Sequence, residues 1–232
     1  MTNLEEIEKK AEDLKTIFTS ISPIKTDGSF ECEKVKECII TMSENILETA
    51  EKDALISWME NNEFFTSPAS TKYHGNKAGG LAAHSLMVFY QSLCLTPGIL
   101  RNFSTSELSD KYEIDIKDIF LSAICHDLCK AGFYAVKQRR SKDFTGNVKY
   151  ESYFVAKEEN RTLGHGNESV LRFIEIFPQM ITNRTVIEAI SRHMGYTDLT
   201  DMEKINYNNF IQNPLVVIIQ LADQTSAQWF NI

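Results

Sequence analysis

No run of about 18 apolar residues occurs in this chain, so the sequence predicts no membrane-spanning helix. The first residues, Met1-Thr2-Asn3-Leu4-Glu5-Glu6, lack the basic-then-apolar order of a secretory signal. There is no Cys-x-x-Cys either. Cys32, Cys38, Cys94, Cys125 and Cys129 form no paired framework, which excludes a disulfide-stapled scaffold and leads us to expect a reducing cytoplasm. Basic residues are in the minority, 24 against 32 acidic; the net charge of −8 argues against broad, nonspecific binding to nucleic acid. Internal repeats and low-complexity segments are missing too. What the 232 residues do hold is 43% hydrophobic and 10% aromatic content, enough to bury one sizeable core.

Helical periodicity fills most of the chain. It predicts helices over 3–20, 32–49, 52–62, 79–96, 115–130, 166–177, 184–194 and 214–229, with a loop at 22–29 and a short helix or turn at 104–112. Pro97-Gly98 is expected to stop the fourth of these, and Pro214 to open the last. The period vanishes between 133 and 158. There, alternating aromatic and β-branched residues flank Asp143-Phe144-Thr145-Gly146-Asn147, the pattern of a β-hairpin with a glycine-containing turn. Lys137, Arg139, Arg140, Lys142 and Lys149 crowd this segment. They suit either a lid over an anionic substrate or a solvated edge.

Several ligand-type residues fall where apolar ones belong. Asp127 continues the face of Ile116, Phe120 and Ala123; His193 follows Val186, Ala189 and Ile190; Asp223 follows Leu215, Val216 and Ile219; His84 lies between Leu81 and Met87. A carboxylate buried without a partner costs several kcal/mol, roughly, so such groups are paired or bind metal. One inward histidine is usually a hydrogen-bonded core residue. Four helices that each aim a ligand-type residue inward point instead to a metal centre. Cys125 and Cys129, four apart, could suggest a zinc-thiolate pair, but apolar helices often carry free cysteine as a small hydrophobe, and that reading is preferred.

These residues and their surroundings, Gly79-Gly80-Leu81-Ala82-Ala83-His84-Ser85, Ala123-Ile124-Cys125-His126-Asp127-Leu128-Cys129-Lys130 and a distant Asp223, resemble the HD-domain metal-dependent phosphohydrolases. Cys129 stands where the family usually has glycine. His165, in Gly-His-Gly, and His193 match the subgroup with two further histidine ligands. The nearest wording is that of the HD domain of bacterial 3′-to-5′ exoribonucleases, in which an aromatic pair and Pro-Ala (here Phe64-Phe65 and Pro68-Ala69) also precede a histidine, His74. The resemblance covers about residues 64 to 229. It implies a mostly α, helical HD-domain bundle over 64–232 with one inserted β-hairpin near the metal site, at about 133–158. Residues 1–63 are then an N-terminal helical extension, expected to dock on the same chain's core.

The resemblance also implies a ligand set. His84, His126, Asp127 and Asp223 would hold one divalent ion, and Asp127 would bridge to a second held by His165 and His193. Mixed histidine and carboxylate ligation suits Mn, Fe, Ni, Co or Zn and does not choose among them. Lys130 is expected to pair with a phosphate oxygen, unless it is a solvated cation at the helix end. His74 and Tyr73 are expected to protonate a leaving group or orient substrate, and Arg139 and Arg140 to meet its charge. Glu168 fits a helix N-terminus. The expected activity is metal-dependent hydrolysis of a phosphoester in a nucleotide or short oligonucleotide. Residues 1–63 show no strand-rich, aromatic-and-basic face for long RNA. An exoribonuclease, a di-iron oxygenase and a metal-bearing binding module stay as alternatives.

Overall fold

Apolar residues at Ile7, Ala11, Leu14 and Phe18 give α1 (Asn3–Ile21) a single buried stripe. α2 (Cys32–Ile46) buries Val35, Cys38, Ile39 and Met42 in the same way, and α3 (Thr49–Asn61) buries Leu55 and Met59. α4 (Gly80–Phe103) has no wet face along its first ten residues, from Gly80 to Phe89. A helix apolar all round must lie at the centre. It does: α1, α2, α5 (Ile116–Cys125) and α10 (Pro214–Trp229) surround it. α7 (Arg184–Arg192) packs on α10 and α5, and α6 (His165–Ile176) on α7. The computed structural model describes residues 3–142, 147–157 and 163–232. Among these, no helix is long and apolar enough to cross a membrane.

Each buried Leu, Ile or Phe contributes about 1.5–3 kcal/mol, and one continuous cluster of them runs from Ile7 to Ile232. Polar groups lock the helix starts around it. Asp115 caps α5 by accepting the Asp118 N–H at 2.8 Å, and Asn213 caps α10 by accepting that of Leu215 at 3.0 Å. Lys117 of α5 pairs with Glu51 of α3 at 2.6 Å.

Four expectations change. Pro97 does not end α4, which runs on to Phe103 because Leu100 packs on the core and Arg101 pairs with Glu8 of α1. Tertiary contacts there outweigh the lost hydrogen bond. The helix expected over 115–130 closes at Cys125; Asp127 leaves helical geometry (φ −114°, ψ 21°) and Leu128–Lys130 forms a 3-10 turn. α2 stops at Ile46 and α3 starts at Thr49, where the Glu48–Glu51 capping box begins a new helix earlier than the apolar spacing suggests. Residues 195–210, given no element by the sequence, hold a 3-10 turn at Gly195–Asp198 and two short helices, α8 (Asp201–Ile205) and α9 (Tyr207–Phe210).

The hairpin is present as β1 (Tyr134–Lys142) and β2 (Val148–Ala156), paired antiparallel from Tyr134↔Ala156 to Lys142↔Val148. Of its proposed turn, Asp143-Phe144-Thr145-Gly146 lies outside the described residues.

Candidate metal centre

Two glycines allow the walls of the centre to meet. Gly80 opens α4, and a Cβ there would lie 1.9 Å from the Gly75 carbonyl oxygen. That close approach folds the loop bearing His74 onto the start of α4, placing the His74 and His84 rings 4.9 Å apart. Gly166 does the same between α6 and α7: its Cβ would sit 2.0 Å from Ser191 O, and His165 and His193 come within 5.9 Å, ring to ring.

Three histidines are anchored alike. His84 Nδ1 faces Ile232 O at 2.8 Å, His126 Nδ1 faces Ala123 O at 2.7 Å, and His193 Nδ1 faces Ile190 O at 2.7 Å. A backbone oxygen only accepts, so each Nδ1 carries a hydrogen and each ring turns its Nε2 inward. The His84 and His126 Nε2 atoms are 3.3 Å apart, an opposition that a proton or a cation must relieve. His193 Nε2 is buried and makes no hydrogen bond among the described residues. An orphaned buried nitrogen is costly unless something binds it.

Asp127, 2% exposed, divides these groups between its two oxygens. Oδ2 lies 3.3 Å from His126 Nε2, 3.8 Å from His84 Nε2 and 2.6 Å from Lys130 Nζ. Oδ1 accepts from His165 Nε2 at 2.8 Å and lies 3.5 Å from His193 Nε2. Asp223 Oδ1 stands 3.1 Å from His84 Nε2. Three overlapping groups could hold a metal ion: His84, His126 and Asp127; His126, His193 and Asp223; and Asp127, Cys129 and His165. In each, the ligand atoms lie within 4.8 Å of one another. The donor set fits a divalent ion with mixed nitrogen and oxygen ligation.

Electrostatics agree with the geometry. Burial would raise the Asp127 carboxyl, but the Lys130 ammonium, His126 and His165 hold it well below the usual carboxylate range. Asp223 is likewise lowered against burial, by the His84 hydrogen bond and the His126 and His193 rings. Burial works against a charged His165, yet its hydrogen bonds to Asp127 and Cys129 prevail and raise it to about 10. Burial opposes the Lys130 charge as well, and Asp127 more than offsets it. His74 is pushed down to about 4 by burial, and then by the charges of His84 and Lys130.

All six expected ligand residues thus converge. Asp127, His165, His193 and Asp223 line a cavity of about 510 Å³ together with His74 and Lys130, while His84 and His126 are fully buried and do not line it. Lys130 is buried, so the solvated-cation alternative is set aside. Three expected substrate contacts do not line this cavity. Tyr73 is 77% exposed, while Arg139 pairs across the hairpin with Glu151 at 3.0 Å and Arg140, opposite Tyr150, is exposed. The hairpin ladder fixes the two arginines on exposed stretches of the ribbon.

Two further features were missed, and a third, Cys129, was weighed and set aside. Tyr196 and Tyr207, edge to face at 5.2 Å, line the cavity from the segment without helical period, where no sequence signal pointed. Gln224 and Gln228, one turn apart on α10, line it too, and their row is offset from the Asp223 stripe that the sequence followed. Cys129 meets Asp127 and His165, whereas Cys125 belongs to none of the ligand groups. Glu168 does lie in the first turn of α6.

The model of the HD domain family matches residues 81–228, from the first turn of α4 almost to the end of α10. Comparison with curated proteins and with solved structures gives no match.

Proposed function

Because the chain belongs to the HD domain family, we propose that it is a metal-dependent phosphohydrolase acting on a phosphoester of a nucleotide or short oligonucleotide. The observation that carries this reading is the set of three imidazoles, each pinned at Nδ1, whose Nε2 atoms gather around both oxygens of Asp127. In this reading His84, His126, Asp127 Oδ2 and Asp223 hold one divalent ion. Asp127 Oδ1, His165 and His193 serve a second. Ions of the Mn, Fe, Ni, Co or Zn type would supply Lewis acidity there, neutralising phosphate charge and lowering the pKa of water from about 15.7 to roughly 7.

The chain's own groups do the rest. Lys130 brings a buried positive charge to the cavity wall, where a phosphate oxygen can take the place Asp127 now holds. His74, neutral at physiological pH, positions or accepts a hydrogen bond instead of protonating the leaving group. The cavity's size suits a small ligand, not a folded RNA. Net charge −8 points the same way.

The test is a product screen. Metal-depleted protein is reloaded with Mn, Fe, Ni, Co, Zn or Mg and given deoxynucleotides, nucleoside monophosphates, cyclic nucleotides and short RNA, with Asp127→Ala alongside. Hydrolysis that is lost in the variant supports the proposal, and stepwise shortening of RNA alone would favour the exoribonuclease alternative. No product with any metal or substrate would sink the phosphohydrolase reading.

A further inference from the structure

The two cysteines around the His-Asp pair have separate fates. Cys125 sits fully buried in the α5 core, where burial alone pushes its thiol up. It is a small hydrophobe in the ordinary sense. Cys129 lies past the point where the helix opens, in the 3-10 turn, and is 3% exposed. Its N–H donates to Ser169 Oγ at 3.2 Å, which fastens the turn to α6, the helix that begins with His165. The Cys129 sulfur, an Asp127 carboxylate oxygen and a His165 ring nitrogen therefore lie within 4.8 Å of one another.

An independent observation points to the same place. His193 Nε2 is buried without a hydrogen-bond partner among the described residues and lies 3.5 Å from Asp127 Oδ1, the oxygen that His165 also faces. One sulfur, one nitrogen and one oxygen form a mutually close donor set here, with His193 Nε2 within 3.5 Å of the Asp127 Oδ1 atom that His165 faces. The other half, His84, His126 and Asp223 with Asp127 Oδ2, contains no sulfur.

Resting on the metal-centre reading above, we infer that Cys129 is a thiolate ligand of the ion on the Asp127 Oδ1 side. There it makes that half selective for thiophilic ions such as zinc, ferrous iron or cobalt over manganese and magnesium. Soft sulfur donors favour the former group, while carboxylate and imidazole alone discriminate less. Binding converts the thiol to a metal-bound thiolate, and its proton leaves to solvent. No oxidant or reductant takes part.

Cobalt(II) titration of the metal-depleted full chain, followed by absorption and elemental analysis, tests this directly. The expected result is a near-ultraviolet sulfur-to-cobalt charge-transfer band beside the visible d–d bands. Cys129→Ser and Cys129→Ala should lose the first and keep d–d absorption from the remaining half, while Cys125→Ser keeps both. Zinc affinity at the second equivalent should fall in the Cys129 variants by more than the ~10–100-fold that losing an outer-shell partner costs, with manganese affinity little altered. Cobalt d–d bands without a charge-transfer band in the wild-type chain would overturn the thiolate and leave the metal centre standing. A charge-transfer band that persists in both Cys129 variants would do the same. A wild-type chain that takes up no cobalt would remove both.

Discussion

The centre around Asp127 and the hairpin β1–β2 each gather charged side chains, and they hold them in opposite ways. In the centre, Asp127 is 2% exposed and touches Lys130, His126, His165 and His193 at once. Every helix that meets there is fixed by core packing, so the charges cannot relax away from one another. On the hairpin, Arg139, Arg140 and Lys149 point into water, and the Arg139–Glu151 pair is 66% and 36% exposed. Charge becomes chemistry only where the fold prevents solvent from screening it.

The largest effect that should separate the two regions follows from Asp127→Ala. It strands the buried Lys130 ammonium, at an expected cost of ~3–5 kcal/mol, read in denaturant unfolding of the metal-free chain. An unchanged midpoint would mean the centre is as slack as the hairpin. Gly166→Ala comes next. A Cβ 2.0 Å from Ser191 O must push α6 from α7, costing about 1–3 kcal/mol and weakening metal binding on the His165 and His193 side more than on the His84 side. Equal loss on both sides, by calorimetry, would contradict the division made by Asp127.

A third prediction uses pH. The folded value of His165, about 10, lies above its ordinary 6.5. Its stabilising contribution is therefore whole below pH 6.5 and is lost as pH rises through about 10. The unfolding midpoint of the metal-free chain should decline across that window, and His165→Gln should flatten the decline. The smallest effect belongs to the hairpin. Arg139→Ala or Arg140→Ala should shift stability by less than about 0.5 kcal/mol and leave hydrolysis near wild type. A loss rivalling that of Asp127→Ala would restore the lid the sequence allowed.

Much of this was legible in the sequence because burial leaves a periodic trace. Asp127, His193 and Asp223 sat on apolar stripes, and the structure buries Asp127 and His193 fully and Asp223 largely. Both hairpin strands could be read from alternation alone, since β pairing is local here. Hidden from the sequence were effects that arise only between distant segments. Pro97 inside α4 depends on α1, and Tyr196 reaches the cavity through α9 and α10, where Tyr207 donates to Gln220 at 3.0 Å. Cys129 was visible as a departure from glycine, but only the opening of the helix after Cys125 shows that it leaves the core for the centre.

The central claim is that the converging side chains hold divalent ions through Asp127. Elemental analysis of the full chain after reloading and exhaustive dialysis tests it most directly, wild type beside Asp127→Asn, which keeps the side chain's shape. One or two tightly held transition-metal ions in the wild type and none in the variant is the predicted result. A wild type without metal, or a variant that retains as much, would contradict the account.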